Sequence, residues 1–344
     1  MRKRLVASLF ERIGATELIL ALRRRAPSPW LPILTFHRVR EPDTDSRYCF
    51  DDGVIDSTPE QFDLQMSIVR RYFNPVGMDD VLRLAEGGSM PRNPVLITFD
   101  DGYRDNHEVA VPILKRHGIK AVFFIATSYI AERRVFWWDR INYLMKTSTK
   151  RTIEVSYPFL QVFDVRTPAD KTGATKALLR LVKTHNGLDL DRLLDGLAKA
   201  ADVRWDDELE KRFANEYLMT WDQVRDLRAA GMDVQSHTRT HRVLQTLDDN
   251  QIVHELRGSR DELEQQLDEP VRAISYPIGH TIRDRPFVRR ALAAAGYKVG
   301  FTNDTGAHPL WRKFDPFEVN RIGVDLDMPT SLFRAMLAMP NVFQ

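Results

Sequence analysis

Three apolar runs, Ile33–His37, Val95–Asp100 and Asp233–His237, each close on a side chain that can do chemistry. A carboxylate at the end of Leu96-Ile97-Thr98-Phe99 is an expensive place for a charge unless something pairs with it. The stretch Thr98-Phe99-Asp100-Asp101-Gly102-Tyr103 puts two adjacent carboxylates there, followed by a glycine for the turn. Neighbours on an extended strand point to opposite sides, but at a terminating turn both can reach one cavity. One could bind a metal while the other stays free as a base. A plain Asp-Gly turn is the bland alternative. The stretch Ser236-His237-Thr238-Arg239-Thr240-His241 carries two histidines four apart. They face one point if the chain turns helically after the strand. Two polar loop histidines are the alternative here.

Two histidines and one aspartate make three protein ligands and leave a position for water, the pattern of a catalytic zinc site. Such an ion lowers the pKa of its water and polarises a carbonyl, and the remaining carboxylate can take the proton. The chemistry this predicts is metal-assisted hydrolysis of an acyl bond. Cys49 is the single cysteine, so an internal disulfide and a cysteine-based zinc knuckle are excluded.

The elements that must position these groups follow a β–α rhythm. Strands are expected at Ile33–His37, Val95–Asp100, Lys120–Ala126, Asp233–His237, Ala273–Pro277 and Lys298–Thr302. Between them lie helix signals: Thr58-Pro59-Glu60-Gln61 and Thr220-Trp221-Asp222-Gln223 as capping boxes, and Gly118, Gly231 and Gly296 as stops. A long helix is expected from about Asp248 to Leu267. Strand ends of β/α barrels converge on the active site, which is where His37, Asp100 and His237 would then lie. Residues of about 150–215 break the rhythm and read as an inserted helical subdomain, with a tail helix at 326–344. The 344 residues are 43% hydrophobic and 28% charged, which excludes disorder, collagen and coiled coil. Fifty basic against 48 acidic residues do not indicate a nucleic-acid partner. No apolar run is long enough to predict a spanning helix.

Residues 1–30 read as a basic amphipathic segment rather than a clear signal peptide. It is expected either to dock on the domain, to fray, or to lie on an anionic membrane surface as a peripheral contact. The default expectation for the chain is cytoplasmic.

Thr98-Phe99-Asp100-Asp101-Gly102 with the downstream Ser-His-x-x-x-His resembles the polysaccharide deacetylase family, or NodB-homology domain. Asp101–Ala126 and Thr220–His241 resemble that family nearly throughout, and Tyr276-Pro277-Ile278-Gly279 resembles its third motif. The likeness covers roughly 31–325. It implies a distorted (β/α)7 barrel and removal of N-acetyl groups from amino sugars, with an N-acetylated glycan as substrate. It implies Asp101, His237 and His241 as ligands of a divalent metal, most simply Zn2+, and Asp100 as general base. The backbone near Tyr103 would help hold the oxyanion, and Tyr276, Pro277 and Gly279 would line the substrate groove. The base-orienting arginine of the third motif has Arg272 as its candidate. The branch resembling poly-N-acetylglucosamine deacetylases takes its general acid from a strand before the Asp-Asp motif, which makes His37 the expected acid. His280 and His308 are its competitors. Trp137, Trp138 and Tyr143 suit either sugar stacking or core packing. The rival functions are a deformylase or amidase using the same site, and a catalytically silent glycan-binding protein.

Overall fold

Seven parallel strands close on themselves: β1 (Ile33–Phe36), β2 (Pro94–Phe99), β3 (Val122–Ile125), β4 (Asp233–Ser236), β5 (Ala273–Ser275), β6 (Val299–Thr305) and β7 (Val319–Gly323). Each pairs with the next in chain order, and β7 returns to β1 through Ile322 opposite Leu34. A further short strand, Asn74–Pro75, runs beside the start of β2. This is the distorted (β/α)7 barrel. The computed structural model describes residues 2–25, 29–42 and 48–343. Residues 1 and 26–28 of the basic segment therefore lie outside the described residues.

Alternation along each strand sorts its side chains. Leu34, Phe36, Ile97, Phe99 and Phe123 join the cluster shared with the surrounding helices. Ile33, Leu96, Phe124, Val299, Phe301 and Val319 form a second cluster, closed at one end by Met78 and Val81 of the Met78–Ala85 helix. Two-residue steps from this second set reach Thr35 and His37, Thr98 and Asp100, Asn303, and Arg321. The apolar layer inside the barrel thus hands over to polar layers at the strands' C-terminal ends.

The expected helix starts are present as full capping boxes at Thr58–Gln61, Thr220–Gln223 and Asp248–Gln251. Each such cap is worth about 1 kcal/mol. The seventh strand was not anticipated. Val319-Asn320-Arg321-Ile322-Gly323 is short and carries a cation in its middle, because that cation faces a buried carboxylate.

Between the Trp137–Thr147 helix and β4 lies an appended unit with its own core of Leu144, Leu178, Leu193 and Leu197. It holds the helices Pro168–Thr184, Leu190–Ala201 and Asp207–Tyr217. It also holds an antiparallel hairpin, Thr152–Val155 with Gln161–Asp164, where only helices were expected. That hairpin is short, and its outward residues are exposed. At the start of the chain, α1 (Arg2–Arg12) and α2 (Ala15–Arg25) form a helical hairpin against the Thr330–Ala338 helix.

Gly300 of β6 gives a stability test. A Cβ there would fall 1.8 Å from the Tyr276 hydroxyl, which is buried and donates to the Phe317 carbonyl at 3.1 Å. Gly300→Ala is expected to cost about 2 kcal/mol or more. Gly196→Ala, in a helix with open space around it, is expected to stabilise by about 0.5–1 kcal/mol. Urea unfolding of both variants measures the contrast.

Candidate metal centre and its surroundings

Asp100 and Asp101 follow β2 and are almost fully buried. The chain turns sharply at Asp101, whose φ is 77°, and Gly102 continues at 103°. A left-handed aspartate costs about 1 kcal/mol or more, and it turns successive carboxylates into one space. Four of the eight non-glycine residues with positive φ among the described residues belong to this region: Asp101, Thr238, His241 and Ile278.

Asp100 is clamped. Arg321 on β7 reaches both of its oxygens, Nη1 to Oδ1 and Nη2 to Oδ2, each at 2.8 Å. The Ser275 hydroxyl donates to Oδ2 at 3.1 Å. Burial alone would raise the Asp100 pKa, but the Arg321 guanidinium and His237 outweigh it and hold the carboxyl well below the usual range. Arg272, the arginine expected for this task, is exposed ahead of β5 and does not reach Asp100. Arg321 stands in its place.

Asp101 is surrounded differently. Its Oδ1 lies 3.4 Å from Nε2 of both His237 and His241. That oxygen is buried without a hydrogen-bond partner. His237 Nδ1 lies 2.8 Å from the Ser275 carbonyl, so this nitrogen carries the hydrogen and Nε2 presents a lone pair. Oxygen and nitrogen ligands of a tetrahedral ion stand about 3.3–3.4 Å apart, given bonds of about 2.0–2.1 Å. The Asp101, His237 and His241 donor atoms all lie within 4.8 Å of one another. Spacing, burial and donor chemistry fit one small divalent cation.

The His237–His241 segment is not a helical turn. Thr238 and His241 adopt left-handed conformations, with φ of 64° and 51°. The buried Glu255 carboxylate holds the bend, accepting from the Arg239 and Thr240 amides at 2.9 and 2.8 Å. Trp137 Nε1 donates to the His241 carbonyl at 3.2 Å, and the Trp138 ring lies 4.4 Å from the His241 ring. These tryptophans are buried and set the histidine, while Tyr143 packs against Phe213 and Trp205.

His37 stands at the rim with its Nδ1 3.0 Å from Asp56 Oδ2. Its backbone amide donates to the same carboxylate, and its carbonyl accepts from Asn106 at 2.7 Å. Burial favours the neutral ring, but Asp56 wins and holds the His37 pKa up at about 10. A cavity of about 170 Å³ joins His37, Asp100, Asp101, His237 and His241. Ile278, Asn303, Trp137, Trp138 and Asp51 line it, with Leu179 and Lys183 from the appended unit.

Tyr103, expected to act through its backbone, directly follows the Asp100-Asp101-Gly102 turn. The Tyr103 side chain is fully buried, donating to Asp139 at 2.9 Å and stacked under Arg38. Tyr276 and Pro277 are buried beside the cavity, and it is Ile278 of that motif that faces it. Gly279 has φ 71°, and a Cβ there would meet Asn303 at 2.3 Å. His280 is exposed, and His308 packs against Phe314 on a separate two-stranded sheet. The residues not anticipated are Arg321, Asp56, Ser275, Glu255 and Lys183. Two of them carried a signal: Asp56 ends the pair Val54-Ile55, and Arg321 stands between Val319 and Ile322.

Removing one partner of a buried ion pair typically costs about 3–5 kcal/mol. Arg321→Met is expected to lose that much near neutral pH with a chelator present. The Asp100 pKa is lowered on folding, so its contribution exists above 3.8 and fades as the pH falls through the folded value. The gap between wild type and variant should therefore narrow in acid. Denaturant titrations at two pH values check this.

Comparison with known proteins follows the same lines. YxkH of Bacillus subtilis (strain 168), whose name assigns it to the polysaccharide deacetylases, is 20% identical over 317 residues, covering 89% of this chain and 76% of that protein. The Streptococcus pyogenes deacetylase PplD superposes with a TM-score of 0.57 at 19% identity, covering 88% of this chain and 95% of that one. IcaB from Ammonifex degensii gives 0.54 at 18% identity, with 91% and 98% covered. A de-N-acetylase from Aggregatibacter actinomycetemcomitans gives 0.53 at 16%, with 88% and 97% covered. These structures share the fold. The polysaccharide deacetylase family model matches residues 87–156 and 198–300, half of the chain. The chain belongs to the polysaccharide deacetylase family.

Proposed function

We propose that this protein is a metal-dependent hydrolase that removes N-acetyl groups from amino sugars of a polysaccharide, an oligosaccharide or a lipid-linked glycan. One observation carries the reading. Asp101, His237 and His241 stand at ion-ligand spacing in the same cavity as an arginine-clamped carboxylate and a carboxylate-backed histidine. Relatives support the reaction class: PplD is a deacetylase solved with acetate, and the Aggregatibacter protein is a de-N-acetylase.

Two imidazoles and one carboxylate suit zinc. A divalent ion held there would acidify a water and polarise the amide carbonyl. Asp101, His237 and His241 would hold that ion. Asp100 accepts a proton from the water that attacks the amide carbon. Its clamp by Arg321 makes it a weak but fixed base, suited to an already acidic partner. As the C–N bond breaks, His37 gives a proton to the leaving nitrogen, so that acetate and a free amine result. Asp56 keeps His37 charged and orients its ring.

The test is acetate release from a panel of N-acetylated oligosaccharides, with formate assayed in parallel. Acetate release should stop with a chelator and return with zinc. Asp100→Asn should keep the metal yet slow turnover by about 10²–10⁴-fold. Near-full activity in that variant would remove Asp100 as the base, and formate alone would make the enzyme a deformylase. Protein with no affinity for a divalent ion would overturn the hydrolase reading and favour a silent glycan-binding protein.

A second prediction concerns pH. His37 acts as a proton donor, so activity should fall on the alkaline side as it deprotonates. Asp56→Asn removes the charge that holds its pKa up at about 10, so the alkaline limb should move to lower pH. A pH–rate profile of wild type and variant reads the shift. An unmoved limb would remove His37 as the acid.

A further inference from the structure

The α1–α2 hairpin has a surface unlike the rest of the protein. It buries Ala7 and Leu20 toward the domain. Outward it exposes Leu5, Val6, Leu9, Ile13, Leu18 and Leu22, six of the thirteen large hydrophobic side chains that are exposed among the described residues. Leu5, Ile13 and Leu18 are 66%, 67% and 61% exposed. Leu5 and Leu9, and Leu18 and Leu22, are four apart and so form a stripe on each helix. Singly exposed leucines need no explanation, but a gathered apolar face does.

The charge on this hairpin is one-sided. Residues 2–25 hold seven basic residues and two acidic ones. Both acids are partly exposed but are engaged by partners on the domain. Arg334 lies 3.1 Å from Glu11 and 2.5 Å from Glu17, and the Tyr72 hydroxyl donates to Glu17 at 2.6 Å. Arg2, Arg12, Arg24 and Arg25 remain exposed. No helix among the described residues is long and apolar enough to cross a membrane. Each hairpin helix has 11 residues, about 16 Å, roughly half of a bilayer's hydrocarbon core. Such helices lie on a surface and do not span it.

We propose that the hairpin docks on an anionic lipid bilayer, its leucines entering the headgroup layer and its arginines meeting lipid phosphates. A second copy of the chain would fit this face poorly. A symmetric interface would set arginine against arginine. Arg4 pairs with Asp327 at 2.9 Å, in the loop that follows β7, so the start of α1 lies toward the barrel end that holds the cavity, while Arg23 of α2 bonds the Leu337 and Ala338 carbonyls at the far end of the Thr330–Ala338 helix. Docking itself does not depend on the reaction assigned to that cavity.

The test is sedimentation of the full chain with vesicles of phosphatidylcholine, alone or mixed with phosphatidylglycerol. Binding is expected to the mixed vesicles only and to weaken in high salt. Leu9→Glu with Leu18→Glu, and separately Arg24→Glu with Arg25→Glu, should each weaken it by about tenfold or more. Circular dichroism and the rate on a soluble substrate should not change. Should the leucine variant misfold, the arginine variant, altered only at exposed positions, decides alone. Failure to bind mixed vesicles, equal binding to both kinds, or wild-type binding by a folded variant would overturn the proposal. So would a dimer in light scattering that the leucine substitutions disperse without any vesicle binding, since that result assigns the face to a second copy.

Discussion

Two adjacent aspartates buried at the end of one strand are the constraint on which the structure turns. An unpaired buried carboxylate costs several kcal/mol, so each needs a partner that its own strand does not supply. Asp100 takes Arg321, 221 residues further along the chain, and Ser275. Asp101 faces His237 and His241. These partners come from β7, β5 and the loop after β4, and only closure of the barrel brings them to β2. The last strand is therefore as much a part of the site as the Asp-Asp turn. A chain lacking β7 would leave Asp100 buried beside Asp101 with no permanent cation to offset it.

The partners also separate the two carboxylates in kind. A guanidinium offers donors and no lone pair, so it fixes Asp100 and cannot share an ion with it. Imidazoles with Nδ1 tied to a carbonyl offer lone pairs, as His237 does. His241 Nδ1 has no such partner, and the Asp101 oxygen that faces both rings has none either; a cation between them would answer that oxygen and the ring lone pairs at once. Neighbouring residues of the same type, equally buried, thus acquire different chemistry from their surroundings. His37 extends the pattern, because Asp56 fixes its ring from behind as Arg321 fixes Asp100.

Much of this was legible in the sequence. Six of the seven strands and the helix caps announced themselves through alternation and turn residues. The Asp-Asp turn, the paired histidines and His37 stood out because polar groups ended apolar runs. The supports were harder to read. Arg321 stands between apolar residues and Asp56 ends an apolar pair, which hides the strand while marking the residue. Glu255 sits on a helix face where a glutamate is ordinary, and only the folded chain shows its carboxylate under the 237–241 bend. Arg272 had the right type and neighbourhood but the wrong end of its strand. The tyrosines of the motifs, Tyr103 and Tyr276, are conspicuous in sequence, yet both spend their rings on packing.

The strained backbone shows what the appended unit contributes. Left-handed conformations at Asp101, Thr238, His241 and Ile278 persist only where neighbours over-determine them. Glu255 and the Trp137 indole hold two sides of the histidine bend, and Trp137 belongs to the core of the appended unit. The family match is interrupted between residues 156 and 198, where much of that unit lies. The same unit sends Leu179 and Lys183 to the cavity. One hydrophobic cluster therefore fixes the geometry of His241 and shapes the wall that a substrate meets. Positions on the Pro168–Thr184 helix can vary to change that wall without touching the groups that face Asp101, because the tryptophans, and not the helix itself, bear on the histidine.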